Sequence, residues 1–430
     1  GVGDNADIFP TNPGEWSDTD GDGFGDNGDA FPTDPNEWLD TDGDGIGNNA
    51  DLDDDGDGLP DKATEGFFSV KHTLSATFDG ASGVFAADVD GDGDKDVLGS
   101  ASSGGISWWE NTGAGSVWPE HIVSATFRPA RAVYAVDVDG DGDTDVLGAA
   151  GLYSSNTQDI TWWENTAGDG SAWTEHFVVA LFENAWSIHA TDLDGDGDTD
   201  VLGAASDFDI TWWENSTGDG TVWVAHVLVG PFAGARTVVA TDMDGDGDND
   251  VLGGSDSNGI KWWENTAGDG TAWTGHIVDA TATSTKSVYS ADIDGDGDTD
   301  VLGTSQYAAI YWWENSAGDG SLWTKHTVWS IAASSVFATD VDDDGDTDIL
   351  AAASDQLRWW ENTAGDGSSW AYNKVANFDG GDSVFATDLD GDGDMDLLGA
   401  GRTGNEISWW ESVDNCPLID NPDQVDTDGD

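Results

Sequence analysis

Short stretches in which small and apolar residues alternate recur along the chain, as in Ser383-Val384-Phe385-Ala386-Thr387, and each predicts a β-strand. An acidic run follows each, and then Val-Leu-Gly or a near variant such as Val201-Leu202-Gly203, which predicts a second strand and makes the acidic run a hairpin connection. About ten residues further on stands a Trp pair followed by Glu, at Trp108-Trp109, Trp162-Trp163, Trp212-Trp213, Trp262-Trp263, Trp312-Trp313, Trp359-Trp360 and Trp409-Trp410. These predict a third strand. Successive strand residues point to opposite faces, so a Trp pair requires cover on both. A Gly-rich turn such as Ala167-Gly168-Asp169-Gly170 and a Trp-x-x-His segment such as Trp273 to His276 complete the unit with a fourth strand.

The unit repeats. The nine-residue motif Asp-x-Asp-Gly-Asp-Gly-Asp-x-Asp begins at Asp88, Asp137, Asp192, Asp242, Asp292, Asp340 (with Asp343 in place of the first Gly) and Asp388, at spacings of 49, 55, 50, 50, 48 and 48 residues. A period near 50 is that of a four-stranded propeller blade. The expected fold is therefore all-β, a seven-bladed β-propeller of four-stranded blades, with irregular segments at both ends. The last copy stops at Trp409-Trp410-Glu411-Ser412 without a fourth strand, whereas Gly66-Phe67-Phe68-Ser69-Val70-Lys71-His72 is an orphan fourth strand ahead of the first acidic run. Pairing the two closes the ring over residues 66–412 and removes exposed sheet edges.

Composition narrows the function. The 430 residues are 37% hydrophobic, enough for a sizeable core, yet 87 Asp and Glu against 12 Lys and Arg give a formal charge of −75. A phosphate backbone needs clustered Lys and Arg, which the sequence lacks, so nucleic acid is excluded as a partner. No apolar run approaches the ~20 residues of a membrane span, and membrane insertion is not expected. A single cysteine, Cys416, provides no internal disulfide framework and is left as either free or bridging two chains. Gly1 opens in the middle of a motif, which suggests an excerpt of a longer precursor.

The acidic runs carry the candidate chemistry. Calcium takes six to eight hard oxygens, and an EF-hand loop places carboxylates at positions 1, 3 and 5, a carbonyl at 7, a further group at 9 and Gly at 6. The candidate metal-ligating residues are Asp88, Asp90, Asp92, Asp94 and Asp96; Asp137, Asp139, Asp141, Asp143 and Asp145; Asp192, Asp194, Asp196, Asp198 and Asp200; Asp242, Asp244, Asp246, Asp248 and Asp250; Asp292, Asp294, Asp296, Asp298 and Asp300; Asp340, Asp342, Asp344, Asp346 and Asp348; and Asp388, Asp390, Asp392, Asp394 and Asp396. In the first loop Asp88, Asp90, Asp92 and Asp96 would supply carboxylates and Asp94 its carbonyl. The bidentate Glu at position 12 is missing, so the loop is EF-like but set in a β-hairpin. About seven Ca2+ are expected in the ring, at affinities of about 10⁻⁴ to 10⁻³ M that would load the protein outside cells and leave it empty in cytosol.

The run Val-x-Ala-x-Asp-x-Asp-Gly-Asp-Gly-Asp-x-Asp-Val-Leu-Gly-Ala resembles the FG-GAP and VCBS repeats of integrin α-subunit-like propellers. That resemblance covers residues 66–412 and implies calcium in the hairpin loops. Residues 1–65 instead repeat every 22 residues (Phe9-Pro10 and Phe31-Pro32, Glu15-Trp16 and Glu37-Trp38) and resemble thrombospondin type 3 repeats, which wrap calcium with almost no core. The ligands so implied are Asp18, Asp20, Asp22, Asp26 and Asp29, then Asp40, Asp42, Asp44 and Asp51, then Asp53, Asp55, Asp57 and Asp61. Residues 413–430 start a further such repeat with Asp426, Asp428 and Asp430, and Gly1 onward supplies its continuation with Asp4 and Asp7, as in one unit of a tandem or fibre-forming array.

No catalytic set is expected. The aligned histidines 72, 121, 176, 226, 276 and 326 read as structural repeat residues, His189 as packing, and the repeated Glu110 and Glu164 as turn hydrogen-bonding groups. Tyr153, Trp186, Tyr307 and Trp329 break the repeat and are candidates for specificity. The expected function is an extracellular or cell-surface calcium-binding structural and adhesion module, not an enzyme. Its partners would be copies of itself or other surface proteins. The alternative is a calcium-dependent multivalent carbohydrate-binding lectin, with glycans as partners.

Overall fold

The computed structural model describes residues 17, 19, 30–33 and 67–412, except 114–116, 152–159, 180–181, 208, 229–231 and 306–308. The flanking acidic ligands, Cys416, Tyr153 and Tyr307 lie outside the described residues.

The described residues hold 28 strands, all in seven four-stranded antiparallel sheets. Blade 1, for example, runs Ala81–Ala87, Asp96–Ala101, Gly105–Trp109 and Glu120–Ser124 from first to fourth strand. The seventh sheet takes its first three strands from Gly381–Thr387, Asp396–Gly401 and Glu406–Ser412 and its fourth from Phe68–Ser75. The ring thus closes by the exchange that the phase of the repeat predicts. Among the described residues no helix is long and apolar enough to cross a membrane.

First strands of neighbouring blades pack on one another and line the central channel. At one equivalent position of these strands Phe85, Tyr134, His189, Tyr289, Phe337 and Phe385, with Val239 in blade 4, form a collar in which the contacting ring centroids are 4.6–5.1 Å apart. At the third position a hydroxyl of one blade accepts the backbone N–H of the next, as in Ser187 from Val238 and Thr237 from Val288, both 3.3 Å.

Between blades the Trp pair does what its place on a two-faced strand requires. Trp162 of blade 2 packs with Phe182, Ile188 and Trp213 of blade 3, so one Trp of each pair faces the following blade and the other the preceding one. All fourteen are buried. The Gly-rich turn of the next blade lies against the first Trp: a Cβ on Gly220, whose φ is +64°, would stand 2.4 Å from Trp162 Cζ2. Only glycine permits both the backbone conformation and the approach.

Candidate metal centres

Each acidic run links the first and second strands of a blade, and the hairpin curls its carboxylates inward. In the first loop Asp88 accepts the N–H groups of Gly91 and Gly93 at 2.7 and 3.1 Å. Asp90 accepts that of Asp92 at 3.2 Å and Asp92 that of Asp94 at 3.0 Å. These turns need left-handed backbone at both glycines (φ +76° and +104°). Asp343, which replaces the first Gly in the sixth loop, adopts the same region at φ 56°.

The ninth-position aspartates Asp96, Asp145, Asp200, Asp250, Asp300, Asp348 and Asp396 are buried. In blades 1 to 6, one oxygen accepts the second-position N–H of its own loop at 2.8–3.2 Å. The other accepts the N–H of an asparagine that follows the Trp-Trp-Glu run, at 2.7–2.8 Å. That asparagine, absent from the expected ligand set, is the residue that ties the acidic loops to their neighbours. The Nδ2 groups of Asn111, Asn165, Asn215, Asn265, Asn315 and Asn362 donate to the second-position carbonyl of the preceding blade's acidic loop at 2.8–3.1 Å. In blades 2 to 6 the amide oxygen accepts the second glycine N–H of the same blade's Gly-rich turn at 2.9–3.1 Å. The available signal was its recurrence, Asn in six copies and Ser412 in the seventh.

Three carboxylate oxygens, one from each residue, lie within 4.8 Å of one another in Asp88/Asp90/Asp96, Asp137/Asp139/Asp145, Asp192/Asp194/Asp200 and Asp292/Asp294/Asp300, and in Asp242/Asp244/Asp246. Calcium–oxygen bonds of about 2.4 Å put opposite ligands at about that separation, so three such oxygens fit one coordination sphere. The donor set is entirely hard oxygen, which suits calcium, magnesium or manganese and not zinc. In the sixth loop Asp340 Oδ1 is buried without a hydrogen bond. The nearby Asp343 N–H favours the ionised carboxyl but makes no well-aligned bond to it. The residues therefore fit a divalent cation. The seventh-position aspartates point otherwise: Asp143, Asp198, Asp248 and Asp298 rest their carboxylates against Gly168, Gly218, Gly268 and Gly318 of the following turn.

Protein alone does not neutralise these groups. Burial, reinforced by neighbouring aspartates and only partly offset by the two backbone hydrogen bonds, raises the carboxyls of Asp96, Asp145, Asp200, Asp250 and Asp300 to about 7. Asp348 rises to about 8 for the same first reason.

The histidines and glutamates settle into one motif and correct one expectation. Glu110 and Glu164 do not bond the turns. They and four counterparts bond a histidine across the third and fourth strands, in the pairs His72/Glu411, His121/Glu110, His176/Glu164, His226/Glu214, His276/Glu264 and His326/Glu314, at 2.8–2.9 Å. Each of these histidines stacks on the first Trp of a pair at 4.1–4.5 Å. The cross-strand register sets Trp opposite His, as in Trp212 opposite His226, and this brings the Glu two residues on, which shares that face of the strand, within reach. Trp329 is exposed and stacked on Tyr372, and Trp186 stands at one mouth of the channel.

A propeller whose blades each present an acidic hairpin is the architecture of a repeat family. The FG-GAP-like repeat matches residues 88–148, 192–253, 242–303 and 340–399, more than half of the chain. The chain belongs to the FG-GAP-like repeat family. No curated protein matches it. Among solved structures it is similar to an Agrocybe aegerita lectin that specifically recognises non-reducing terminal N-acetylglucosamine, with 20% identity, TM-score 0.50, and 68% of this chain and 80% of the lectin covered. It is also similar to BBS1N in complex with ARL6DN, with 10% identity, TM-score 0.56, and 81% and 97% of the two chains covered. At these identities the likenesses show the fold.

Proposed function

We propose that the chain is an extracellular, calcium-binding structural and adhesion module whose disc is made rigid by ions in its seven acidic loops. The observation that carries this reading is the coupling of each carboxylate cluster to the next blade. A ninth-position aspartate holds the asparagine backbone, and that asparagine holds the preceding acidic loop, so an ion that fixes one loop also fixes a blade junction. Calcium is the favoured ion because the loops offer carboxylates at EF-hand spacing without a rigid octahedral cage.

In the same reading the thrombospondin type 3-like repeats at residues 1–65 and 413–430 bind further calcium and join units into a tandem or fibrous surface array. No catalytic role is assigned, since the six aligned histidines are each engaged by a glutamate and a Trp face. The second reading, a calcium-dependent multivalent lectin, is favoured by the likeness to the N-acetylglucosamine-recognising propeller.

Calcium titration calorimetry on the metal-stripped chain tests the first reading, with about seven ring sites expected from seven loops. Magnesium bound in preference to calcium would contradict it. Sugar binding on a glycan array that disappears on chelation would establish the lectin.

A further inference from the structure

Of the 12 Lys and Arg in a chain of charge −75, four (Arg131, Arg236, Lys286 and Arg402) converge on one mouth of the central channel. We propose that this mouth binds a small hydroxylated carboxylate, the class to which acidic monosaccharides belong. The inference is independent of what occupies the acidic loops.

The site is built by the inner strands. Their register shifts between first and third positions in blades 2, 3 and 4 and between Thr285 and Val288 in blade 5. A bulge of this kind re-aims the extra side chain, and the residues released are Arg131, Trp186, Arg236 and Lys286. All four line a cavity of about 180 Å³ that opens to solvent, large enough to take a group the size of a monosaccharide.

The cations are held in place but not consumed. Arg131 from blade 2 and Arg236 from blade 4 lie 3.4 and 3.8 Å from the centre of the Trp186 ring in blade 3, so the indole fixes both guanidinium planes. Arg131 spends Nη1 on the neutral Asn184 side chain at 2.9 Å. Arg236 spends Nε on Asp256 at 2.7 Å, and its Nη1 is buried with no hydrogen bond. Lys286 makes no ion pair with a described residue, whereas Asp382 across the rim is paired with Arg402.

Four cations therefore face two carboxylates. Burial and mutual repulsion hold the Arg131 guanidinium down to about 10 and the Lys286 ammonium below its ordinary value. Such an arrangement is costly until an anion enters. Lys286 supplies the ammonium that meets an entering carboxylate, and the two guanidiniums stacked on Trp186 add positive charge behind it. Thr237, Ser287, Ser335 and Ser383 each accept a neighbouring blade's N–H at 3.3–3.4 Å and keep a hydroxyl proton for ligand hydroxyls. Asp382 adds an acceptor on the far side.

The test is calorimetry on the full chain in saturating calcium with sodium glucuronate, using glucose, sulfate and phosphate as comparisons. The proposal expects one saturable glucuronate site and no glucose binding. Lys286→Gln should weaken glucuronate by about tenfold, the value of one charge-assisted hydrogen bond. Asp382→Asn should tighten it, a gain that misfolding could not imitate. Glucuronate affinity unchanged by both substitutions, sulfate or phosphate bound as tightly as glucuronate, or no binding of any of them overturns the proposal.

Discussion

A buried asparagine that donates to one blade and accepts from a turn of its own has no substitute of equal chemistry. Asn265→Ala removes a bond to Leu193 and one to Gly270, leaving a buried carbonyl and a buried N–H unpaired. At about 1–3 kcal/mol for each orphaned group, the variant should lose about 3 kcal/mol in urea unfolding of the calcium-loaded protein. His189 makes a second residue-scale prediction. It keeps a little accessible surface in the channel bore but is enclosed by protein beside Tyr134, and burial lowers its imidazole to about 4. A folded value below the unfolded one of about 6.5 means stability that is fully present above pH 6.5 and is lost as pH falls toward 4. The loss is at most about 3 kcal/mol. His189→Phe should flatten that part of a Tm-against-pH curve, and an unaltered slope would contradict the assignment.

At the scale of elements, the second glycine of the Gly-rich turn in blades 2 to 6 serves a blade other than its own. Gly220→Ala combines a positive φ with a 2.4 Å approach to Trp162, while Gly247→Ala has a positive φ and nothing within 4 Å. The first should cost about 2–3 kcal/mol and the second about 1 kcal/mol, compared by denaturant midpoints. The strands, hairpins and ring closure were legible in the sequence because every blade repeats the same four signals in phase, and His72 marked the displaced strand. What one period could not show was any contact made by the next. The asparagine has its partner in the preceding blade and so carries no signal within its own period, and Glu110 was assigned to its own turn because the cross-strand register that delivers His121 is not written in spacing alone.

For the whole molecule, charge is the organising quantity. The acidic loops were legible because seven carboxylate sets repeat at ligand spacing, whereas the cationic mouth was not. Arg131, Trp186, Arg236 and Lys286 occupy one inner-strand register but break the repeat, and only closure of the ring sets them beside Asp382 and Arg402. The buried ninth-position aspartates give the whole-molecule pH prediction. Without metal their folded values near 7 exceed the ordinary 3.8, so they favour the fold when protonated and oppose it progressively as pH rises from about 4 through 7. A cation needs them ionised. The calcium-dependent gain in Tm should therefore be complete near pH 8 and shrink steadily toward pH 4, and an equal gain at both ends would contradict the ligand set.

The most direct test of the central claim is the calorimetric melting of one preparation, calcium-saturated and exhaustively chelated, with bound metal counted on both samples. The account predicts at least about seven calcium ions per chain in the first and a Tm lower by about 10 °C or more in the second, as seven loops lose their ions together. An equal Tm and equal compactness with no metal bound would contradict it.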